Sequence, residues 1–341
     1  MSFWSVCPGP TWFQAIESLN PCRADSSYGT CSSDLSRWPR GTILPPGLRL
    51  ILLSTKHADA IASLLKDHFS IYPRCRISLT RDRILQGFFL DGWIGVGIMT
   101  LEKQLVGCVL SKPLGRLKMP HETLSQSGLV DYFCVHTAYR KQGLVKVMLD
   151  ELVVQTAKQG RHVHMFLKEG FPLWKLPPLY TSSYLARRRG IPGESKEYFG
   201  SMGIGTHGRI ESYTHSEYLP LTRFAANLPY ELSGDSELFV FTYRGHTTFL
   251  CVTDLHHRTV PEGHTIGEIS WVLPKTAEVP LAHQRMAVET CVDCSRFDIL
   301  LLDAKLPHDS KKGWQKDAPF SWYVFNYNPG AFFRVRPYWI V

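Results

Sequence analysis

The sequence has no long apolar stretch and no recognisable targeting pattern. No run of 18 apolar residues occurs among its 341 positions, so a membrane-spanning helix is not expected. The first ten residues, M-S-F-W-S-V-C-P-G-P, lack the charged start and apolar centre of a secretory signal. We therefore expect a soluble, monomeric, cytoplasmic protein with no transmembrane segment.

Patterns typical of metal and nucleic-acid binding are also scarce. Cys291 and Cys294 form one C-x-x-C, but no second pair stands at zinc-finger spacing, so no metal site is predicted. The formal net charge of +8 favours an anionic partner, yet only Arg187 to Arg189 form a basic run. A coenzyme with several phosphates explains this charge as well as a nucleic acid does, and no nucleic-acid partner is expected.

The most informative stretch runs from Gly128 to Gln159. Residues 129–136 are apolar and rich in Val, Tyr and Phe, which predicts a strand, and residues 143–158 repeat apolar side chains at helical spacing. The turn between them is R-K-Q-G-L-V, with Arg140 at its start and Gly143 at its fourth position. Backbone N–H groups at a helix start, with basic side chains beside them, suit a pyrophosphate.

This stretch resembles two related families. An R-x-x-G-x-(A or G) turn between strand and helix is the acyl-CoA-binding feature of GNAT acyltransferases, and Val145 is the one departure from it. The strand D-Y-F-C-V-H is similar to N-F-L-C-V-H of eukaryotic N-myristoyltransferases, and the segment from Phe3 to Pro10 resembles the F-W-S-T-Q-P-V-P start of that family's catalytic core. The sequence thus resembles a divergent N-myristoyltransferase over nearly its whole length, most strongly over residues 129–187.

The resemblance implies an α+β fold of two fused GNAT-like halves, each a mixed, partly splayed sheet flanked by helices, in a pseudo-twofold arrangement. The sequence itself repeats its order of predicted elements after a glycine-rich segment, which favours an internal duplication. We expect an arm over the acyl-CoA site at 1–45, an acyl-CoA-binding half at 46–190 and a linker at 191–208. The half at 209–341 is expected to bind the acceptor peptide and to supply a C-terminal carboxylate.

The implied activity is transfer of a fatty acyl group, with myristoyl expected, from acyl-CoA to the N-terminal glycine amine of a protein or peptide. The expected partners are therefore acyl-CoA, with myristoyl-CoA as co-substrate, and the N-terminal peptide of a substrate protein. Two alternatives stay open: a GNAT acetyltransferase acting on a small amine or lysine, and an acyl-CoA-binding protein without turnover.

The resemblance also implies roles for individual residues. The oxyanion donors would be the backbone N–H groups of Tyr132 and Phe133, and the base would be the carboxylate of Val341. Asp131 replaces the family's asparagine and could hold an ammonium or act as an auxiliary base. The expected coenzyme contacts are Phe3, Trp4, Cys134, Val135, Arg140, Lys141, Gln142, Gly143, Leu144 and Val145. The expected acceptor contacts are Tyr72, Lys168, Gly170 and Tyr184.

Two departures from the family bear on acceptor choice. Arg74 and Arg76 follow Tyr72 where the family has an acidic run, which leaves a preference for basic peptides open. Lys168 stands in K-E-G where the family has T-A-G, and its charge would repel an ammonium unless the side chain points away. His164 has no supporting cluster of polar residues in the sequence, so no role is predicted for it.

Overall fold

The computed structural model describes residues 29–30, 35, 43–72, 75–114, 117–118, 123–124, 126–169, 178, 180–189, 208–213 and 235–328. The chain forms two compact units, Met1–Thr181 with Phe320–Arg334, and Ser182–Pro319 with Val335–Val341. Within the described ranges, no helix has the length and apolar character needed to cross a membrane.

The first unit is a mixed sheet with helices on both faces. Its helices are α1 (Ala58–His68), α2 (Arg81–Phe89) and α3 (Leu144–Ala157). Its strands are β1 (Gly29–Thr30), β2 (Leu48–Leu53), β3 (Ser70–Tyr72), β4 (Cys75–Ile77), β5 (Ile94–Thr100), β6 (Leu105–Pro113), β7 (Leu117–Lys118), β8 (Thr123–Leu124), β9 (Ser127–Val135), β10 (Val163–Glu169) and β18 (Tyr327–Asn328).

The main sheet of this unit has the order β2, β5, β6, β9, β10, followed by the end of β17 (Gln315–Phe325). Neighbouring strands are antiparallel except β9 and β10, which are parallel and are joined through α3. All seven residues of β5 are buried, as expected of a strand covered on both faces. One core packs α3 against Val96, Ile98 and Val109, and the other packs α1 and α2 around Leu110 and Cys134.

The second unit contains β11 (Tyr180–Arg188, from Ser182 onward), β12 (Gly208–Tyr213), β13 (Ser236–Tyr243), β14 (His246–Thr259), β15 (Thr265–Pro274), α4 (Leu281–Cys294) and β16 (Ile299–Asp303). Its sheet order is β12, β13, β14, β15, β16, β11. Only β15 and β16 are parallel, and α4 connects them.

The two units share one plan, so the duplication predicted from element order is confirmed. Across each sheet, a series of antiparallel strands is followed by a pair of parallel strands that a helix connects. The second strand of this pair then has one antiparallel neighbour on its other side. The helix starts differ. Gly143, with φ +77°, precedes α3, whereas Pro280 precedes α4 and has no N–H to donate.

The unit boundaries differ from those expected from the sequence. The first unit ends at Thr181 and takes in Phe320–Arg334, because the end of β17 pairs with β10. The expected linker, apart from Gly208, and most of the expected arm lie outside the described residues. The described parts of the arm belong to the first unit: β1 pairs with β18, and Leu35 is buried in the core beside α3.

Candidate functional site

A bulge interrupts β9 in the middle of the first sheet. Tyr132 and Phe133 together oppose the single residue Val109 of β6, where regular pairing would match one residue with one. Tyr132 has φ +48°, a backbone conformation that costs energy for a residue with a side chain. The bulge lies where the resemblance places the oxyanion donors, and it turns backbone groups out of the sheet ladder.

The parallel strands β9 and β10 separate just beyond their paired segment. Their pairing ends at Val130 with Phe166, although β9 continues to Val135 and β10 to Glu169. A gap therefore opens between the two strands on the side of the bulge. This is the partly splayed sheet that the sequence predicted for the first half.

The amide of Tyr132 already has a partner. Its N–H donates to Asp131 Oδ1 at 2.7 Å, and its carbonyl accepts from the Cys108 thiol at 3.4 Å. To serve as an oxyanion donor, this amide would have to exchange the Asp131 carboxylate for the substrate. The geometry therefore favours Phe133 as the first of the two proposed donors.

Asp131 belongs to a charged and aromatic cluster beside the bulge. Lys112 Nζ lies 2.8 Å from Asp131 Oδ2 and donates to the Tyr132 hydroxyl at 3.0 Å. The Lys112 ammonium also lies over the Tyr132 ring and near Trp93. Lys112 therefore balances the Asp131 charge, which reduces the attraction of this carboxylate for a substrate ammonium.

The turn before α3 is open toward solvent. Lys141 and Gly143 have φ +64° and +77°, and a β-carbon added to Gly143 would meet no atom within 4 Å. The first N–H groups of a helix lack intrahelical acceptors, and Gly143 has no side chain to cap them. No acidic residue occupies the first turn of α3. This end can therefore receive an anion.

Arg140 braces this turn. Its Nε donates to the Val135 carbonyl at 3.0 Å and its Nη2 to the His68 carbonyl at 2.6 Å. The guanidinium thus ties the turn to the end of β9 and the end of α1. Arg140 was predicted to contact the coenzyme, and its positive charge does lie at the cavity, but its contacts within the chain are structural.

A cavity of about 470 Å³ lies between this turn and the bulge. It unites most of the residues predicted to contact a coenzyme. Its lining is His68, Phe69, Phe133, Cys134, Val135, Tyr139, Arg140, Lys141, Gly143, Leu144 and Val145. Three of these, His68, Phe69 and Tyr139, were not predicted from the sequence. Gln142 was predicted but is exposed and does not line the cavity.

Cys134 lines this cavity without being a candidate nucleophile. Its thiol is buried and donates to the Leu64 carbonyl at 3.7 Å. Burial, opposed only in part by Arg140, raises the pKa of Cys134 to about 12. The thiol therefore stays protonated near neutral pH and is not a reactive nucleophile.

A second cavity, of about 260 Å³, lies beside α3. It is walled by apolar side chains of α3, β9, β10 and β17, with His164 and Lys168 as its polar members. Its lining is Val130, Phe133, Val145, Leu149, Leu152, Val153, His164, Phe166, Leu167, Lys168 and Phe325. Phe133 and Val145 line both cavities. The polar turn and the apolar cavity therefore meet at the bulge.

His164 is a buried polar residue in this apolar wall. It is 2% exposed, and neither ring nitrogen has a hydrogen-bond partner among the described residues. Burial, with smaller contributions from the neighbouring Arg161 and His162, lowers the pKa of His164 to about 3. The imidazole is therefore neutral at physiological pH.

This buried imidazole predicts a loss of stability in mild acid. The unfolded chain protonates His164 below pH 6.5 while the folded chain does not, so stability falls as the pH falls from 6.5 toward 3. Between pH 7.5 and pH 5.0 the loss from this group is about 2 kcal/mol. Urea unfolding at both values should show a smaller loss for His164→Leu than for the wild type. Equal losses in the two proteins would rule out a buried neutral His164.

The residues predicted to contact the acceptor are not brought together by the described part of the structure. Tyr184 is 2% exposed in the second unit, where its hydroxyl donates to the buried Glu268 at 2.6 Å. Lys168 is half-buried at the apolar cavity. Tyr72 lies in β3, but its side chain is not described. Phe3, Trp4, Gly170 and Val341 lie outside the described residues.

Comparisons with known proteins identify the fold. No family model matches the sequence, and no curated protein sequence matches it. Among solved structures, Saccharomyces cerevisiae N-myristoyltransferase with bound myristoyl-CoA is similar at a TM-score of 0.63 and 13% identity, covering 95% of this chain and 92% of that chain. Another structure of the yeast enzyme with bound myristoyl-CoA gives 0.67 and 12%, covering 95% and 88%.

A GNAT protein is also similar. The GCN5-related glucosamine N-acetyltransferase region of a fungal multidomain GH3 β-N-acetylglucosaminidase gives a TM-score of 0.50 at 12% identity, covering 82% of this chain and 38% of that chain. At such identities the likeness concerns the fold alone. The chain therefore has the α+β fold of N-myristoyltransferase, with GNAT-like halves.

Proposed function

We propose that the protein is an acyl-CoA-dependent N-acyltransferase that moves a long acyl group, with myristoyl as the expected one, onto the N-terminal amine of a peptide. The observation that carries the proposal is the meeting of the two cavities at Phe133 and Val145. A thioester joins a polyanionic coenzyme to an apolar chain, and the carbonyl lies between them. The cavity at the turn suits the polyanionic coenzyme, the bulge suits the carbonyl, and the apolar cavity suits the acyl chain.

The turn before α3 would hold the coenzyme phosphates. Its open backbone N–H groups and the positive end of the helix dipole favour an anion, and Lys141 adds an exposed cation. Arg140, fixed by two backbone carbonyls, contributes charge without having to be ordered on binding. Together they would position the thioester at the bulge.

The bulge would polarise the thioester carbonyl. The Phe133 N–H is proposed to donate to the carbonyl oxygen, whose negative charge grows as the amine nitrogen attacks the carbon. The carbon–sulfur bond then breaks, the amine loses a proton, and the coenzyme leaves as its thiol. An α-amine titrates near pH 8, so an appreciable fraction is already neutral at physiological pH. The chain mainly has to hold the two reactants together.

The apolar cavity is the reason for proposing a long acyl group. Each buried methylene contributes about 0.8 kcal/mol, so a chain that fills the cavity gains far more than an acetyl group. Apart from His164 and Lys168, its walls are apolar side chains. An acetyl group would leave most of the 260 Å³ unfilled.

The direct test is intact-mass analysis of a peptide that begins with glycine, incubated with tetradecanoyl-CoA or acetyl-CoA. We expect an added tetradecanoyl group and a much slower addition of acetyl. The same peptide with a blocked N-terminus but a free lysine should stay unmodified. Faster acetylation, or modification of the blocked peptide, would favour a GNAT acetyltransferase of another specificity.

Filling the apolar cavity should change chain-length preference. Leu149 is 6% exposed and lines the cavity, so Leu149→Trp places added volume where the acyl chain would lie. We expect at least a tenfold loss of kcat/KM for tetradecanoyl-CoA, because losing the burial of two methylenes costs about 1.6 kcal/mol. Turnover of acetyl-CoA should stay within twofold of the wild type.

Acetyl-CoA turnover in the same variant is the internal control for folding. Leu52→Trp, at a residue that is 52% exposed on β2, makes the same substitution away from the cavity and should leave turnover of both thioesters unchanged. An equal loss with both thioesters in Leu149→Trp would mean that the side chain damages the turn or the bulge, and would argue against the acyl-chain assignment.

A second candidate function is acyl-CoA binding without turnover. It is favoured by the cluster beside the bulge, because Asp131 is paired with Lys112 and also holds the Tyr132 amide. Under this alternative the intact-mass experiment gives no product, although isothermal titration still detects tetradecanoyl-CoA binding.

A further inference from the structure

Two polar side chains converge inside the first unit, beside the apolar cavity. A β-carbon built on Gly128 would lie 2.6 Å from Ser111 Oγ and 3.1 Å from His164 Nε2. Ser111 and His164 are 0% and 2% exposed, and neither Ser111 Oγ nor the His164 nitrogens have hydrogen-bond partners among the described residues. Both side chains therefore pack against the backbone of Gly128, where any larger residue would clash with them.

Such groups are rarely left unpaired. An unsatisfied buried polar atom destabilises the folded state, so native proteins supply a partner from the chain, from water or from a ligand. A neutral imidazole offers one N–H donor and one nitrogen acceptor, and a serine hydroxyl offers both functions. A hydroxyl group is complementary to this pair because it can donate to one and accept from the other.

His164 is also part of the cavity wall. It lines the cavity together with Val130, Leu152 and Phe325, and Lys168 is the other polar member of this lining. Ligand sites of this kind gain their specificity from a few polar groups placed in an apolar lining. A plain hydrocarbon would leave both ring nitrogens of His164 unpaired, whereas an oxygen on the chain would satisfy at least one.

We propose that the acyl group taken by this cavity carries a hydroxyl in its distal half, held by His164 with Ser111 beside it. This inference rests on the proposed N-acyltransferase function and names the class of acyl donor, a hydroxylated long-chain acyl-CoA. The roles proposed above for the turn before α3 and for the bulge in β9 stay the same.

The strand register sets the position of the hydroxyl. His164 pairs with Gly128, five residues along β9 from Phe133, which is roughly 16 Å at the rise of a strand. An extended hydrocarbon advances about 1.25 Å per carbon, given a C–C bond of about 1.5 Å. Because the imidazole can reach back along the cavity, the hydroxyl belongs on a carbon from about the eighth onward.

The test is isothermal titration of the full chain with tetradecanoyl-CoA and with hydroxytetradecanoyl-CoA isomers substituted at carbon 3, 6, 9 or 12. We expect one of the two distal isomers to bind about tenfold more tightly than the unsubstituted thioester, the value of one buried hydrogen bond. The isomer substituted at carbon 3 should show no such gain.

Two variants separate recognition from folding. His164→Leu removes both nitrogens at similar volume, so the ratio of the two affinities measured in this variant, for the distal isomer and for tetradecanoyl-CoA, should fall to about one. Its thermal midpoint should be unchanged or higher, because an unpaired polar group has been replaced by an apolar one. His164→Gln keeps a donor and an acceptor and should retain part of the preference.

The outcomes are distinguishable. If tetradecanoyl-CoA itself does not bind, the proposed function fails and this inference fails with it. If tetradecanoyl-CoA binds and all isomers bind equally or more weakly, only this inference is overturned. A distal preference that survives in His164→Leu would also overturn it.

Discussion

Replacing Gly143 with valine is expected to weaken coenzyme A binding by one to two orders of magnitude. The residue has φ +77°, where a side chain costs about 1–2 kcal/mol, and a β-branched residue tolerates this conformation poorly. Its added β-carbon would occupy open space at the turn, where the phosphates are proposed to bind. The added side chain obstructs the phosphates, and a turn that relaxes to relieve the strain has to be restored when the coenzyme binds. Since 1.4 kcal/mol is a factor of ten, these two effects give the expected loss, measured by isothermal titration.

Gly245 provides a matched control. It also has φ +77°, and a β-carbon there would likewise meet nothing within 4 Å, but it lies in the β13–β14 turn of the second unit. Gly245→Val should lose similar stability and keep wild-type coenzyme affinity. If both variants lose affinity equally, backbone strain alone explains the effect and the turn at Gly143 is not the phosphate site.

Reversing the charge of Lys141 is expected to weaken coenzyme A binding tenfold to a hundredfold at low salt. Its side chain is exposed beside Gly143, so Lys141→Glu exchanges attraction for repulsion of the phosphates without removing a buried contact. Exposed charges are screened by salt, with a Debye length of about 10 Å at 0.1 M. The difference from the wild type should therefore shrink as ionic strength rises in a titration series.

Lys103 is the control for this charge reversal. It is an exposed lysine with φ +67°, close to the +64° of Lys141, in the turn between β5 and β6. Lys103→Glu makes the same change in net charge and backbone preference at another place. It should leave coenzyme affinity within twofold of the wild type. If both variants bind the coenzyme equally weakly, the overall charge of the protein explains the effect, and Lys141 has no particular role.

Local sequence patterns predicted the elements that position the turn. The expected strand at 129–136 is Ser127–Val135, and the expected helix at 143–158 is Leu144–Ala157. The spacing of apolar residues predicts the strand and the helix, and Gly143 marks the turn between them. All of these signals lie within the elements or next to them. Helical spacing of apolar residues over 281–292 likewise predicts the helix observed at Leu281–Cys294.

Pairings between distant segments were not predicted. The strand Gln315–Phe325 carries no local signal for its return to the first unit, where it pairs with β10 about 150 residues earlier in the chain. The strand Tyr180–Arg188 was recognised only as a stretch similar to the family, and not as the antiparallel partner of β16. The alternation of apolar residues and the composition of a strand predict that it is a strand, but they do not specify which other strand it pairs with.

Site residues that are contiguous in the sequence were predicted, whereas those brought together from distant strands were not. The residues of the turn were predicted because they are contiguous, from Arg140 to Val145. His164 and Phe325 were missed because the apolar cavity brings together strands that are far apart in sequence. The contact between Asp131 and the Tyr132 amide was also missed, because the resemblance supplies an asparagine at that position. The salt bridge was missed because Lys112 lies on a different strand from Asp131.

The most direct test of the central claim is a crystal structure of the protein with a non-hydrolysable tetradecanoyl-CoA analogue. We predict that its pyrophosphate accepts hydrogen bonds from amides between Lys141 and Val145, with the carbonyl at Phe133 and the acyl chain in the cavity beside α3. A ligand bound to the second unit, or an acyl chain lying outside that cavity, would contradict the account.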